Sequence, residues 1–579
     1  MNVRTTALTP AAKSELLREY WAVNWHHASD WPAHRLACFL SAEEGRRHDR
    51  KGGDGLVVDE PSGRRPLLGV LTNSYWGGAS RESGALEYNQ AGHLLTVAPT
   101  RAGKGVSQII PNLLLYAGSC LVIDIKGENY DKTARYRQSF FDGAQVFKFA
   151  PFEDDTSRYN PLDFIRVGED GQPIPESYDD TRLLAEMLIP SRNSEDFWDI
   201  EARNCLTMIL FYVATSGMIP ERRTMREVVN LLFPVGTRDD KSPIDRTIMT
   251  IRAEAERAEN MALEAMVTQF REHDDKVRAG ILSTCRSAMA IWLSERLLYA
   301  TSKSDFDFND LKRSMCRPIG ENPAPTSIYV VIPPEYLREY RAVLRMIVGL
   351  ASVGLTRAHP WDNPDDKAKG WRANTPCPVL FFLDEFAALG HMSPIEQGVA
   401  YLAGYGVQLW TFVQSLGQLK DVYKENWTTF VSNAGAACYY GIADPDLCAE
   451  LARQLGKAGE YEIEYHTTSV QEGSSYGSSG SSTRGTSRTT GDSYSWSSSD
   501  SDTYGSTSND SKSVTVTQNK RWKEDQVAEP SDIRRMAPSQ QLIMLRNKRP
   551  ALASLVRYFD CNLFKGRYDD WRGTHGGAR

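Results

Sequence analysis

One stretch limits what this chain can fold into: His93-Leu94-Leu95-Thr96-Val97-Ala98-Pro99-Thr100-Arg101-Ala102-Gly103-Lys104-Gly105-Val106-Ser107. The apolar run Leu94 to Val97 predicts a buried strand, Pro99 to Gly105 a tight turn, and Ile109, Ile110 and Leu113 a helix that follows. Strand, glycine-bearing turn and helix start together make a P-loop, in which backbone N–H groups cradle phosphates and a lysine reaches them. The phosphate-holding residues are then Pro99, Thr100, Arg101, Ala102, Gly103, Lys104, Gly105 and Val106. The match departs from the usual pattern twice. Ala98 stands at the first glycine, and Gly105 stands where a hydroxyl normally meets Mg²⁺. By itself the stretch also fits an ordinary strand–loop–helix junction with a solvated lysine.

A second stretch decides between these. Pro378-Val379-Leu380-Phe381-Phe382-Leu383-Asp384-Glu385-Phe386 is an apolar strand ending in two acids, the form of a Walker B element. Asp384 is placed to hold a Mg²⁺-bound water and Glu385 to polarise an attacking water. Val407 to Val413 predicts another strand, ending in Gln414. A glutamine there either senses a γ-phosphate or merely caps the strand. Ser119 to Asp124 and Gln145 to Phe149 predict two further strands. Short, continuous apolar runs suit strands buried on both faces of a parallel sheet, so the fold class is α/β. Ligands of such sheets lie at the carboxyl ends of strands, which puts Asp124, Lys126 and Glu128 among the site candidates, with a solvated loop as the alternative.

Between these strand-rich parts the pattern changes. Residues 161–325 carry helical periodicity almost throughout, over Thr181 to Ile189, Phe197 to Ser216, Met225 to Leu232, Met261 to Phe270 and Asp275 to Tyr299. Strands resume at Ser327 to Ile332, so the helical part reads as an all-α domain inserted into the α/β unit. A helix from Leu337 to Ala351 follows, with Arg338, Arg341 and Arg345 spaced to share a face. The expected organisation is an N-terminal helical or irregular segment over 1–64, including a helix from Ala11 to Trp25, and a nucleotide-binding domain over 65–160, 326–466 and 513–579. The helical insert occupies 161–325. Ser, Gly and Thr dominate 467–512, which predicts a structureless excursion carried between two hairpin strands, Tyr461 to Thr468 and Ser513 to Gln518. Ser531 is the expected cap of a short helix, and strands are expected over 541–546 and 551–556.

Composition narrows the setting. At 579 residues the chain exceeds one core. Its nine cysteines are scattered singly, which argues against a zinc site or disulfide frame and for a reducing compartment. The net charge of −7 means that any nucleic-acid contact must be a local basic surface. No apolar stretch reaches the roughly 18–20 residues that span a bilayer, and no signal peptide is evident, so a cytoplasmic location is expected.

Taken in order, Thr96 to Gly105, Val122-Ile123-Asp124-Ile125-Lys126-Gly127-Glu128, Phe382 to Gly390 and Gln414-Ser415-Leu416-Gly417-Gln418-Leu419 resemble the motifs of type IV coupling proteins, the ATPases of conjugation and type IV secretion. Ile125 stands where that family usually has proline. The resemblance implies a RecA-like P-loop domain with the inserted all-α domain, binding ATP and Mg²⁺. It implies Lys104, Asp384, Glu385 and Gln414 as catalytic residues, with Asp384 meeting the metal through water and Gly105 as a variant of one branch. It implies a homo-hexamer on substrate or DNA that couples DNA–protein complexes (a relaxase), or protein effectors, to type IV secretion components at the cytoplasmic face of the inner membrane. Lacking spanning helices, the chain would meet that membrane only through partners. Relatives carry an arginine just before the glutamine strand, whereas Leu402-Ala403-Gly404-Tyr405-Gly406 has none, leaving Arg341, Arg345 and Arg453 as candidates for a trans arginine. Two alternatives fit the same motifs: a weakly hydrolysing substrate receptor or adaptor, and an FtsK-like DNA translocase.

Overall fold

The computed structural model describes residues 38–39, 57–58, 63–72, 83–90, 92–140, 143–190, 196–216, 222–235, 243–316, 324–357, 377–474, 483–489, 494–501 and 510–569. The helix expected over Ala11 to Trp25 lies outside them.

Twelve strands form one sheet: β1 (Val57–Val58), β2 (Leu67–Thr72), β3 (Ser83–Glu87), β4 (His93–Val97), β5 (Cys120–Ile123), β6 (Gln145–Phe149), β7 (Thr326–Val330), β8 (Val379–Leu383), β9 (Val407–Val413), β10 (Ala434–Tyr439), β15 (Gln540–Leu545) and β16 (Ala551–Ser554), in the order β1-β3-β2-β16-β15-β10-β4-β9-β8-β5-β7-β6. The run from β10 to β6 is parallel throughout. The five strands beyond β10 add on antiparallel. The chain is thus α/β with a mixed sheet. Its central strands β4, β5, β8 and β9 are buried along their whole length, which explains why their sequences are continuous apolar runs rather than alternations.

The two faces of the sheet have separate partners. On one, Leu94, Val122, Phe382 and Trp410 pack with Leu113 of the P-loop helix, α1 (Ile110–Leu115), and with Ile109 just before it. Arg137 of α2 (Glu128–Phe140) is fully buried there; its guanidinium donates to the carbonyls of Leu113, Tyr116 and Gly118 and to Ser327 Oγ. These bonds satisfy carbonyls that the end of α1 leaves open. On the other face Leu95, Leu121, Phe381 and Leu409 belong to one large core with the helices that follow β6.

Those helices are α3 (Pro175–Leu188), α4 (Phe197–Thr215), α5 (Met225–Leu232), α6 (Pro243–Arg257), α7 (Met261–Glu272), α8 (Asp275–Met289) and α9 (Glu295–Ala300), all inside the connection from β6 to β7. α4 is buried over most of its length, with Asp196 capping it by accepting the Trp198 N–H at 3.0 Å. After β7 comes α10 (Pro334–Thr356), whose Val343, Leu344 and Ile347 enter the same core. α11 (Pro445–Leu455) follows β10, with Asp444 as its cap.

Three local expectations need correction. The helix read over Asp275 to Tyr299 is two helices; a 3-10 turn at Ala290–Leu293 drives Trp292 into the core, and α9 restarts after Ser294. The last short helix, Pro530–Arg534, is capped at Glu529 rather than Ser531, because Pro530 takes the first helical position, where its missing N–H costs nothing. The Ser/Gly-rich stretch is not structureless. β11 (Lys457–Ser474) and β14 (Asp510–Gln526) pair antiparallel on its flanks, and β12 (Thr483–Thr489) and β13 (Tyr494–Ser501) lie within it, giving a four-stranded sheet in the order β11-β14-β13-β12. A ladder needs backbone partners and an extended chain, and Thr, Tyr and Trp favour that conformation even where composition cannot build a core.

Candidate nucleotide site

Register places the site. Val97 pairs with Val413, and Ile123 with Leu383, so Ala98, Gln414, Asp124 and Asp384 all emerge at the carboxyl ends of adjoining strands. The loop 98–104 leaves β4 there, with Arg101 and Gly103 in left-handed backbone, at φ 64° and 97°. The positive φ favours glycine at 103, and a Cβ there would also crowd Val106 Cγ2 at 3.3 Å. Gly105 to Ile109 form a single π-helical turn before α1 begins.

Lys104 is buried at 8% exposure, its Nζ donating to the Ala98 carbonyl at 3.0 Å and lying 3.7 Å from Glu385 Oε1. Gln414 Nε2 donates to the other carboxylate oxygen, Oε2, at 2.8 Å. The Gln414 N–H in turn donates to Gln418 Oε1 at 3.0 Å, fixing the strand end. Glu385 has φ 50°, a backbone conformation that a residue with a long side chain adopts at a cost of about 1–3 kcal/mol. Asp384 accepts the Glu385 N–H at 3.0 Å. Burial, then the neighbouring Glu385 charge, pushes the Asp384 carboxyl up to about 6, against the pull of Lys104 and Lys126. Asp124, almost fully buried, accepts from the Tyr130 N–H at 2.8 Å and from Asn129 at 3.3 Å; burial and the charge of Asp384 raise it to about 7.

The structure therefore brings Lys104, Asp384, Glu385 and Gln414 together, with Asp124 and the exposed Lys126 beside them. Glu128 is exposed in the first turn of α2 and joins no contact in this cluster. Arg453 is exposed on α11 and ion-paired with Glu450. Arg341 and Arg345 lie around Gly390, in the loop after Glu385. A hydroxyl close in sequence to Gly105 is that of Ser107, which turns back to donate to the Gly103 carbonyl at 2.6 Å; Thr100 is exposed.

Sequence reading missed the layer beneath the loop. Gln108, fully buried, accepts from Thr96 Oγ1 at 2.7 Å and from the Tyr440 hydroxyl at 3.3 Å, and donates to Gln541 Oε1 at 3.1 Å. Trp410 Nε1 donates to Thr96, and Gln541 donates to the Leu68 carbonyl. This network ties the P-loop helix to β4, β9, β15 and β2. Its one sequence signal is a glutamine inside an apolar helical pattern. Gly441 was missed as well: with φ 64°, a Cβ there would stand 3.2 Å from Ala102 Cβ of the loop.

Comparison with known proteins places the chain in a family. Residues 55–498 match the model of the family described as "Type IV secretory system Conjugative DNA transfer". The chain is 28% identical over 414 residues to Protein VirD4 of Rhizobium rhizogenes, covering 70% of this chain and 54% of that protein. It is 26% identical over 410 residues to Conjugal transfer protein TraG of Escherichia coli, covering 69% and 60%. It thus spans little more than half the length of these relatives. Among solved structures, the unbound monoclinic form of the bacterial conjugative coupling protein TrwBdeltaN70 superposes with a TM-score of 0.50 at 15% identity, covering 80% of this chain and 84% of that one; the trigonal form in complex with sulphate gives 0.50 at 14%, covering 80% and 85%. That likeness is one of fold, a RecA-like P-loop domain with a helical insert. A match over most of its length makes this chain a member of the type IV secretory system conjugative DNA transfer family.

Proposed function

We propose that the chain is the ATP-hydrolysing coupling motor of a type IV secretion machinery, recruiting DNA–protein complexes or protein effectors and helping to drive them across. The observation that carries this is the contact of Glu385 with both Lys104 and Gln414 at the mouth of the P-loop. A phosphate cradle, a cation, a water-activating carboxylate and a γ-phosphate-facing amide then stand within one side chain's reach of each other.

In this reading residues 99–106 hold the phosphates, with Lys104 leaving the Ala98 carbonyl and Glu385 to reach them. Glu385, released from Lys104, takes the proton of the attacking water, and Gln414 orients that water or the γ-phosphate. Mg²⁺, when bound with nucleotide, supplies charge neutralisation across the phosphates. The donors fit it: Asp384 has an oxygen unused by the Glu385 N–H and would hold the ion through water, while position 105 has no hydroxyl and that of Ser107 is engaged. Lys126 draws the Asp384 carboxyl down, and the Asp384 charge in turn raises Asp124.

Work on a thread of substrate calls for a closed ring, so a hexamer assembled on DNA or substrate is part of the reading. Among the described residues no helix is long and apolar enough to cross a membrane. Recruitment by partners to the cytoplasmic face of the membrane is part of the same reading. ATP turnover by Lys104→Ala and Glu385→Gln tests the assignment: both are expected to lose DNA-stimulated hydrolysis, with Glu385→Gln still binding nucleotide. Undiminished turnover in either pure variant would refute it.

A further inference from the structure

Arg338, Arg341 and Arg345 lie on one face of α10, three and four residues apart. Arg338 and Arg341 are exposed and Arg345 is partly buried. Among the described residues none of the three forms an ion pair. Glu335 and Glu339, on the same helix, stay clear of them. Arg345 Nε is sealed from solvent without an acceptor. Burial, and then the neighbouring Arg341 charge, hold the Arg345 guanidinium below its ordinary pKa. Both Arg341 and Arg345 close on the same point of backbone. A Cβ at Gly390 would stand 3.8 Å from Arg341 Nη1 and 4.0 Å from Arg345 Nη1. Gly390, at φ 73°, ends the 3-10 turn Phe386–Leu389 that begins at Glu385.

Two adjacent guanidiniums, one of them half-desolvated and short of an acceptor, are unfavourable unless an anion completes them. In a chain of net charge −7, such a stripe is not a by-product of a basic composition. Its length selects the anion. Arg338 to Arg345 covers about 10 Å of helix at 1.5 Å per residue. One phosphate engages one or two arginines, whereas a nucleic-acid strand offers charges a few ångströms apart along its backbone and occupies all three.

We propose that Arg338, Arg341 and Arg345 form a phosphodiester-backbone site for a single strand of nucleic acid, seated against the turn that leads out of Glu385. This rests on the reading of the chain as a nucleic-acid-moving ATPase, and names the residues through which the strand reaches that site. A strand on the stripe presses on the Gly390 end of a four-residue turn whose other end carries Glu385, so cargo and water-activating group share one short element.

The test is binding of a labelled single-stranded oligonucleotide to the full chain without nucleotide, followed by fluorescence anisotropy across a salt series. The variants are Arg338→Gln/Arg341→Gln, at exposed positions that leave the core untouched, and Arg345→Lys, which keeps the charge. Each lost backbone contact lowers the slope of log K against log salt by about 0.7. The double variant is therefore expected to lose about 1.4 from the slope and at least tenfold in affinity, and Arg345→Lys to lose less. An unchanged slope and affinity in the folded double variant would overturn the proposal. So would intact DNA binding with lost ATP turnover, which would assign the arginines to a neighbouring copy's nucleotide. A wild-type chain with Lys104-dependent ATP hydrolysis but no salt-dependent binding of the oligonucleotide would overturn it too, and leave the ATPase reading standing.

Discussion

Gln414 Nε2 donates to Glu385 Oε2 across 2.8 Å, so the side chains at the ends of two neighbouring strands hold each other before any phosphate arrives. The bond restrains Glu385, whose backbone already sits at φ 50°. Gln414→Leu removes the restraint and the amide together. Turnover is expected to fall on the order of 10²-fold with KM for ATP little changed, as for a group that acts on the reacting water. Steady-state kinetics check it; a raised KM at constant kcat would mean that Gln414 serves binding only.

Burial and the Glu385 charge raise Asp384 to about 6, and burial and the Asp384 charge raise Asp124 to about 7. With Asp384 as the proposed Mg²⁺ group, affinity for the Mg²⁺–nucleotide complex is expected to rise with pH up to about 7, changing about tenfold per unit below the Asp384 value. Calorimetric titrations in buffers of different ionisation enthalpy would show proton release on binding near pH 6. Glu385→Gln removes the neighbouring charge and should shift the rise to lower pH.

His93, at the start of β4, is buried and neutral. Its Nδ1 accepts the Leu409 N–H at 3.1 Å and its Nε2–H donates to the Val399 carbonyl at 3.0 Å. Burial lowers its pKa from 6.5 to about 4. Below 6.5 the unfolded chain therefore binds a proton that the folded chain refuses, and stability falls as pH drops from 6.5 to 4, by about 3 kcal/mol at most. Above 6.5 this contribution is constant. Thermal unfolding across that range should show His93→Phe to be less stable than wild type at pH 7.5 yet less sensitive to acid.

Gln108 joins Thr96, Tyr440 and Gln541 in a space without solvent. Gln108→Leu strands several polar groups at once, each at about 1–3 kcal/mol. A stability loss of about 3 kcal/mol is expected by chemical denaturation. Paired replacement with Gln541→Leu should cost less than the sum of the two singles, because the second change removes a partner already unpaired.

The parallel half of the sheet was legible because its strands are buried on both faces: the continuous runs at β4, β5, β8 and β9 have no other comfortable place. The acids and the glutamine that end those strands then follow from register. The antiparallel half was less so. Gly69 interrupts the apolar run of β2, and the stretch around β2 and β3 carries no period long enough to read. α6 went unread because its apolar positions, Ile248, Ile251 and Ala255, are spaced thinly among charges. Gln108 and Gly441 were invisible for another reason. Their importance comes from atoms far away in sequence, Gln541 and Ala102, and no local pattern marks such a meeting.

β6 and β7 are parallel neighbours, and the whole helical insert hangs in the crossover between them. A crossover of this kind needs only a dozen or so residues. Everything beyond that is surplus to the sheet, joined to it at two fixed points one strand apart. A module joined in this way can be remodelled while the strand ends that carry Asp124, Asp384 and Gln414 stay where they are.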